Sequence, residues 1–193
     1  MSLEAVIENY PVGLELKGGF QCELRPLQRD DADAFFAFFQ QVPAEERLFI
    51  KHRVEDRDVI RQWCENIDYL AKLPLLAVQD GKIIGAATLH QQQGGWKRHI
   101  GRVSVLVLPQ YRGRGLARRM VREISELAQH AGLDFVEAEF IGRQEAAIKM
   151  FGLLGFAPLI TLPGYVRDMQ GNAHDYAVMS LPLKTDEEYA GMG

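Results

Sequence analysis

The stretch PQYRGRGLARRM, residues 109–120, sets Gly113, Gly115 and four arginines just after an apolar run ending at Leu108 and around the start of an apolar stripe beginning at Leu116. Leu116, Met120, Val121, Ile124, Leu127, Ala128 and Ala131 recur at helical spacing, so the stretch predicts a strand, a short loop and an amphipathic helix over about residues 113–131, stopped by Gly132. A helix start leaves its first backbone N–H groups unpaired and carries a positive partial charge, and glycines let an anion approach the backbone closely. The stretch therefore reads as a phosphate cradle. Arg112, Arg114 and Arg118 would add charge-assisted hydrogen bonds worth roughly 1.5–3 kcal/mol each, while Arg119 and Arg122 read as a solvated helix face. The plainer alternative is a glycine-relaxed turn ahead of a surface helix.

Missing residues narrow the ligand. A P-loop would carry Lys-Ser or Lys-Thr where Leu116-Ala117 stand, and a dinucleotide fingerprint wants a small residue at Arg118. LPLLAVQ, the Asp80-Gly81 turn, KIIGAATLHQQQ and, after Gly94-Gly95, WKRHIGRVSVLVL predict three sequential antiparallel strands, not the parallel unit of a dinucleotide site.

Outward from the stretch, LELKGGFQCELRPL predicts a hairpin with a two-residue turn at Gly18-Gly19. Asp30-Asp31 reads as the cap of a helix with Ala34, Phe35, Phe38 and Phe39 on one face, ended by Pro43. A second helix is expected from about Asp56 to Ala71, its face made by Val59, Ile60, Trp63, Ile67 and Leu70. LDFVEAEFI reads as a strand, EAAIKMFGLLG as a helix closed by Gly155, and two strand-like runs surround MQGNAHD.

With 193 residues, 47% of them hydrophobic, the chain suits one soluble domain. The opening MSLEAVIENYPVG lacks a signal-peptide pattern and no apolar run approaches the ~18 residues a bilayer span needs, so the expected location is the cytoplasm, with no membrane partner. Cys22 and Cys64, without CxxC spacing or a histidine cluster, read as buried free thiols, not metal ligands or a disulfide. A net charge of -4 argues against nucleic acid as a partner and makes the local arginine cluster the more informative.

Gln110-Tyr111-Arg112-Gly113-Arg114-Gly115 matches the Q/R-x-x-G-x-G/A signature of GNAT-type N-acetyltransferases. AIKMFGLLGF, residues 147–156, resembles the family's A-I-x-x-Y-x-x-x-G-F segment. The opening YPVGLELKGGFQCELRPLQRDDADAFFAFF is also similar to the GNAT domains of bacterial protein-lysine acetyltransferases. The resemblance implies an α/β GNAT fold: a mixed, mostly antiparallel twisted sheet of about seven strands flanked by about four helices. It divides the chain into an N-terminal extension with a hairpin strand (1–19), the acetyltransferase domain (20–183) and a flexible C-terminal tail (184–193). It implies acetyl-CoA as cosubstrate and no metal, the pyrophosphate held by Arg112, Gly113, Arg114, Gly115, Leu116, Ala117 and Arg118, and the pantetheine arm and thioester carbonyl met by backbone groups at Val105 and Val107. The implied partner is an amine acceptor, a small molecule or a protein lysine, that attacks the thioester directly; the resemblance also allows a homodimer.

Two departures bear on catalysis. The family's thiolate-protonating tyrosine falls on Phe151, with Gln144 where an asparagine is common, and a glutamate proposed as general base in lysine-acetylating relatives falls on Arg102. A thiol of pKa about 8.5 leaves nearly unaided at pH 7, but deprotonating a lysine-like amine costs ~4.6 kcal/mol there, so the base matters more. An imidazole suits proton transfer near neutral pH, so His99 is the candidate base, against the plainer reading of a surface histidine beside Trp96-Lys97-Arg98. Glu137, Glu139, His174 and Asp175 are further candidates. Two functions stay open: an N-acetyltransferase, or a catalytically degenerate acyl-CoA-binding regulator.

Overall fold

The computed structural model describes residues 2–47, 50, 53–142 and 144–184. Among them the chain runs α1 (Leu3–Ile7), β1 (Val12–Leu16), β2 (Phe20–Pro26), α2 (Ala32–Gln40), α3 (Ala44–Arg47), α4 (Arg57–Glu65), β3 (Lys72–Gln79), β4 (Lys82–His90), β5 (Ile100–Val107), α5 (Leu116–His130), β6 (Phe135–Ile141), α6 (Glu145–Leu153), β7 (Ala157–Arg167) and β8 (Ala173–Pro182). The eight strands form one sheet in the order β1-β2-β3-β4-β5-β6-β8-β7, antiparallel throughout except for β5 against β6. This is the expected GNAT architecture with one strand more than expected and two additional short helices, α1 and α3.

Alternation along the strands sends side chains to two cores. On one face Val103 and Val107 of β5, Val136, Ala138 and Phe140 of β6 and Met179 of β8 pack under α5, whose Leu116, Met120, Val121, Ile124 and Leu127 form the predicted stripe. On the other, Leu76, Val78, Ile83 and Ala86 pack under α2 and α4, where Phe35, Phe38, Phe39 and Trp63 meet as an aromatic cluster. Each such buried side chain contributes about 1.5–3 kcal/mol. β1 is the edge strand of this same sheet, and Leu3 and Leu14 join the α5-side core.

Local chemistry shifts several boundaries. The first hairpin pairs Leu16 with Phe20, so its loop holds three residues, with Gly18 and Gly19 both at positive φ. Asp31 does not cap α2: it is buried, accepts two hydrogen bonds from Arg25 (2.7 Å each) and one from the Gln28 N–H (2.7 Å), and so closes the turn before the helix. The second long helix stops at Glu65, because Asp68 draws the Leu70 N–H to its carboxylate in a turn. WKRH is a loop, and β5 starts only at Ile100. The C-terminal tail from residue 185 lies outside the described residues.

Candidate active site

β5 and β6 are paired only over Ile100–Val103 and Phe135–Ala138. Beyond Val103, β5 stays with β4 as far as Val107, whereas β6 stays with β8 as far as Ile141. The two strands therefore part into a fork. Backbone groups alternate direction along a strand, and the Leu108 N–H donates to Ile84 on the β4 side (3.0 Å), so those of Val105 and Val107 face the fork.

The fork leads to the glycine loop. Gly113 (φ 77°) and Gly115 (φ 87°) take left-handed conformations, and a Cβ built on either would project into open space. Gly115 is the N-cap of α5 and has no side chain to cap it, so the first N–H groups of a 15-residue helix open there. Gly115, Arg118, Arg119 and Arg122 line a shallow concavity of about 320 Å³. Both Arg119 and Arg122, expected on a plain solvated face, thus sit at its rim. Among the described residues, Arg114 Nε is buried without a hydrogen-bond partner. Such an orphan donor beside an uncapped helix start fits an anion, and the two open glycines leave room for a diphosphate.

Neighbouring elements brace this loop. The Lys17 N–H donates to the Arg114 carbonyl (3.4 Å), and the Arg114 guanidinium lies 4.7 Å from the Phe20 ring centroid, so the first hairpin supports the loop from one side. On the other, Arg112 donates through Nη1 and Nη2 to Glu46 of α3 (2.9 and 2.7 Å) and through Nε to the Val107 carbonyl (2.8 Å). Arg112 is read from sequence as a phosphate ligand; its guanidinium is instead committed to joining α3, the end of β5 and the loop. The Leu116 side chain is buried, so it offers the site only its backbone, and Ala117 packs against the same core.

On the sheet face opposite α5, the register places Arg102 and Ser104 of β5, Glu137, Glu139 and Ile141 of β6, and Tyr176, Val178 and Ser180 of β8 around the fork. Arg102 Nη1 donates to Glu139 Oε1 (3.3 Å), and the Tyr176 hydroxyl donates to Glu139. Burial, followed by the charge of Glu139 and that hydrogen bond, pushes the Tyr176 phenol up to about 12. The Tyr165 ring lies 6.0 Å from the Tyr176 ring. Of the carboxylates considered from sequence, Glu139 is thus the one tied into this cluster. His174 pairs with Asp168 (3.0 Å) in the β7–β8 turn, and Asp175 Oδ1 accepts the Gly164 N–H (2.8 Å); both hold the hairpin.

His99 is not brought to the fork. It precedes β5 at the end where β5 and β6 remain joined, its carbonyl accepting the Asp134 N–H (2.8 Å), and six residues of strand separate it from Val105 by about 20 Å. Phe151 is 2% exposed, with edge-on contacts to Phe140 (5.0 Å) and Phe156 (4.9 Å), and belongs to the core.

A family model described as the acetyltransferase (GNAT) family matches residues 29–156, which include the fork strand β5, the glycine loop and α6. The chain belongs to the GNAT acetyltransferase family. Among solved structures, the GNAT domain of PAT from S. lividans is 19% identical, with a TM-score of 0.74 over 89% of this chain and 96% of that one. yncA, a putative acetyltransferase from Salmonella typhimurium solved with its cofactor acetyl-CoA, is 21% identical, with a TM-score of 0.72 over 85% and 95%. The ribosomal-protein-S5-alanine acetyltransferase from Vibrio fischeri is 20% identical, with a TM-score of 0.74 over 90% and 97%. At these identities the likeness is one of fold; the family match makes the chain a GNAT N-acetyltransferase. No helix among the described residues is long and apolar enough to cross a membrane.

Proposed function

We propose that this GNAT enzyme moves an acetyl group from acetyl-CoA to a primary amine that attacks the thioester directly. The observation that carries the reading is the fork whose inward backbone groups, those of Val105 and the N–H of Val107, lead to the uncapped start of α5 at Gly115. The pyrophosphate fits the backbone of Gly113–Arg118 with Arg114 and Arg118 beside it, and the pantetheine arm lies along Val105–Val107. When bound, acetyl-CoA supplies an acyl thioester, an activated carbonyl with a good leaving group. The N–H groups facing the fork stabilise charge developing on the carbonyl oxygen, and they need no particular side chain to do so.

The acceptor approaches over the face holding Arg102, Glu139 and Tyr176. Its nitrogen forms a bond to the carbonyl carbon, the C–S bond breaks, and CoA departs as a thiolate. Glu139, half-buried beside the fork, orients the incoming ammonium and receives its first proton before the attack, with Arg102 and Tyr176 fixing the carboxylate; the second N–H proton leaves the tetrahedral adduct for the departing thiolate or solvent water. Phe151 offers no proton to the thiolate, and a thiol of pKa about 8.5 makes that a modest handicap at neutral pH.

Calorimetry with CoA, followed by a thiol-release assay over polyamines, amino acids, aminoglycosides and lysine peptides, tests the proposal. Micromolar CoA binding and acetyl transfer to at least one amine class are expected. Tight CoA binding with no release for any amine would contradict transfer and favour a CoA-binding regulator; absence of CoA binding would remove the whole reading.

A further inference from the structure

The first eleven residues lie outside the segment that the family model matches, yet they reach the phosphate helix. α1 packs on α5, with Leu3 in the shared core, and the segment ends at Tyr10, whose hydroxyl donates to Glu123 Oε1 at 2.8 Å. Glu123 is 8% exposed, an unusual setting for a carboxylate on an amphipathic helix. One turn earlier on α5, Arg119 Nη2 lies 2.8 Å from the other carboxylate oxygen, Oε2. This close ion pair engages the guanidinium through Nη2. The same Arg119 lines the concavity with Gly115, Arg118 and Arg122.

We infer that Tyr10 and Glu123 are positioning residues for the CoA phosphates, acting through Arg119. The inference rests on the acetyl-CoA reading given above. By donating to Oε1, Tyr10 fixes the orientation of the Glu123 carboxylate, which holds Arg119 through Oε2. The guanidinium is anchored at its inner edge while its remaining N–H groups are free to meet a phosphate oxygen over the concavity. Without the Tyr10 hydroxyl, the Glu123 carboxylate can rotate, and Arg119 loses its fixed place over the concavity. The N-terminal segment is on this account part of the donor site, although its sequence has no phosphate-binding character of its own.

The test uses the full chain and CoA itself, with calorimetry at several salt concentrations. Tyr10→Phe, which removes one oxygen and keeps the ring, is expected to weaken CoA about fivefold and to flatten the salt dependence of what remains. Arg119→Ala is expected to weaken CoA by about tenfold, and adding Tyr10→Phe to it should change nothing further, because the two act as one unit. The acetyl-CoA KM should follow the same pattern while kcat at saturation holds. A purely structural role for Tyr10 would lower the melting temperature without moving the salt slope, and would overturn the inference. So would additive effects of Tyr10→Phe and Arg119→Ala, or no effect of Arg119→Ala alone. If the wild-type chain binds no CoA, the acetyl-CoA reading fails first and this inference falls with it; normal wild-type binding with additive variants overturns the inference alone.

Discussion

The proposed donor side and the proposed acceptor side of the fork are built differently. The donor side is a continuous piece of chain, Val105 to Arg118, in which backbone direction, two left-handed glycines and an uncapped helix start do the work. The acceptor side is assembled from side chains on three strands, Arg102 of β5, Glu139 of β6 and Tyr176 of β8, meeting only because the sheet brings them together. A site made of backbone tolerates side-chain drift but not a change in φ. One made of side chains responds in the reverse way, and it is where relatives of one fold can part in substrate.

The sharpest way to break this contrast is Gly113→Val. A β-branched residue at φ 77° is strained, by about 1–2 kcal/mol, and its side chain projects into the space open to a phosphate. CoA affinity should fall by about 100-fold or more in a protein that still melts cooperatively, with calorimetry as the readout. Unchanged affinity would take the loop out of the site. Next in size, Glu139→Gln should lower turnover or raise the acceptor KM by about tenfold, leaving the CoA dissociation constant within about twofold. If CoA binding fell with it, the division between the two sides would collapse.

Phe151→Tyr is expected to act on stability more than on chemistry. A hydroxyl added among Phe140 and Phe156 without a partner costs about 1–3 kcal/mol, which thermal melts would register. CoA affinity should stay within about threefold, and turnover should be unchanged or modestly raised below pH 7. A large gain in turnover would show that the missing phenol limits the wild-type enzyme. The smallest effect concerns Tyr176. The folded protein keeps this phenolic proton to about pH 12, whereas the unfolded chain releases it near 10.0, so unfolding releases a proton between those values and stability falls as pH rises through them. Ultraviolet difference titration should lose one late phenol in Tyr176→Phe; if the phenol lost in the variant is instead one that titrates near 10, the hydrogen bond to Glu139 is refuted.

The same contrast explains what was legible in the sequence. The shape of the glycine loop could be read from its own residues because each requirement is local: glycines for φ, a strand before and an amphipathic helix after. The hairpin at Asp80-Gly81 and the stops at Gly132 and Gly155 were readable for the same reason. Arg112 misled because charge is visible in a sequence but its partner is not: Glu46 lies 66 residues away on a helix of four residues too short to announce itself. His99 looked suitable as an imidazole, yet the fork opens only after Val103, a fact fixed by how far β5 and β6 pair. Glu139 carried no signal beyond its place in an alternating strand. The role of Tyr10 was hidden still further, since it depends on a buried carboxylate 113 positions away.

CoA is expected to occupy the backbone path from the fork to the start of α5. Amide chemical shifts of the labelled protein, followed as CoA is added, report on that path residue by residue. The largest shifts are expected at Val105, Val107, Gly113, Gly115, Leu116, Ala117 and Arg118, with Gly18, Gly94 and Gly171 in distant turns unmoved. Shifts concentrated instead on the far half of α5 and the end of β8, around Ser125, Gln129 and Leu181, would place the ligand in the groove there and contradict occupancy of the backbone path.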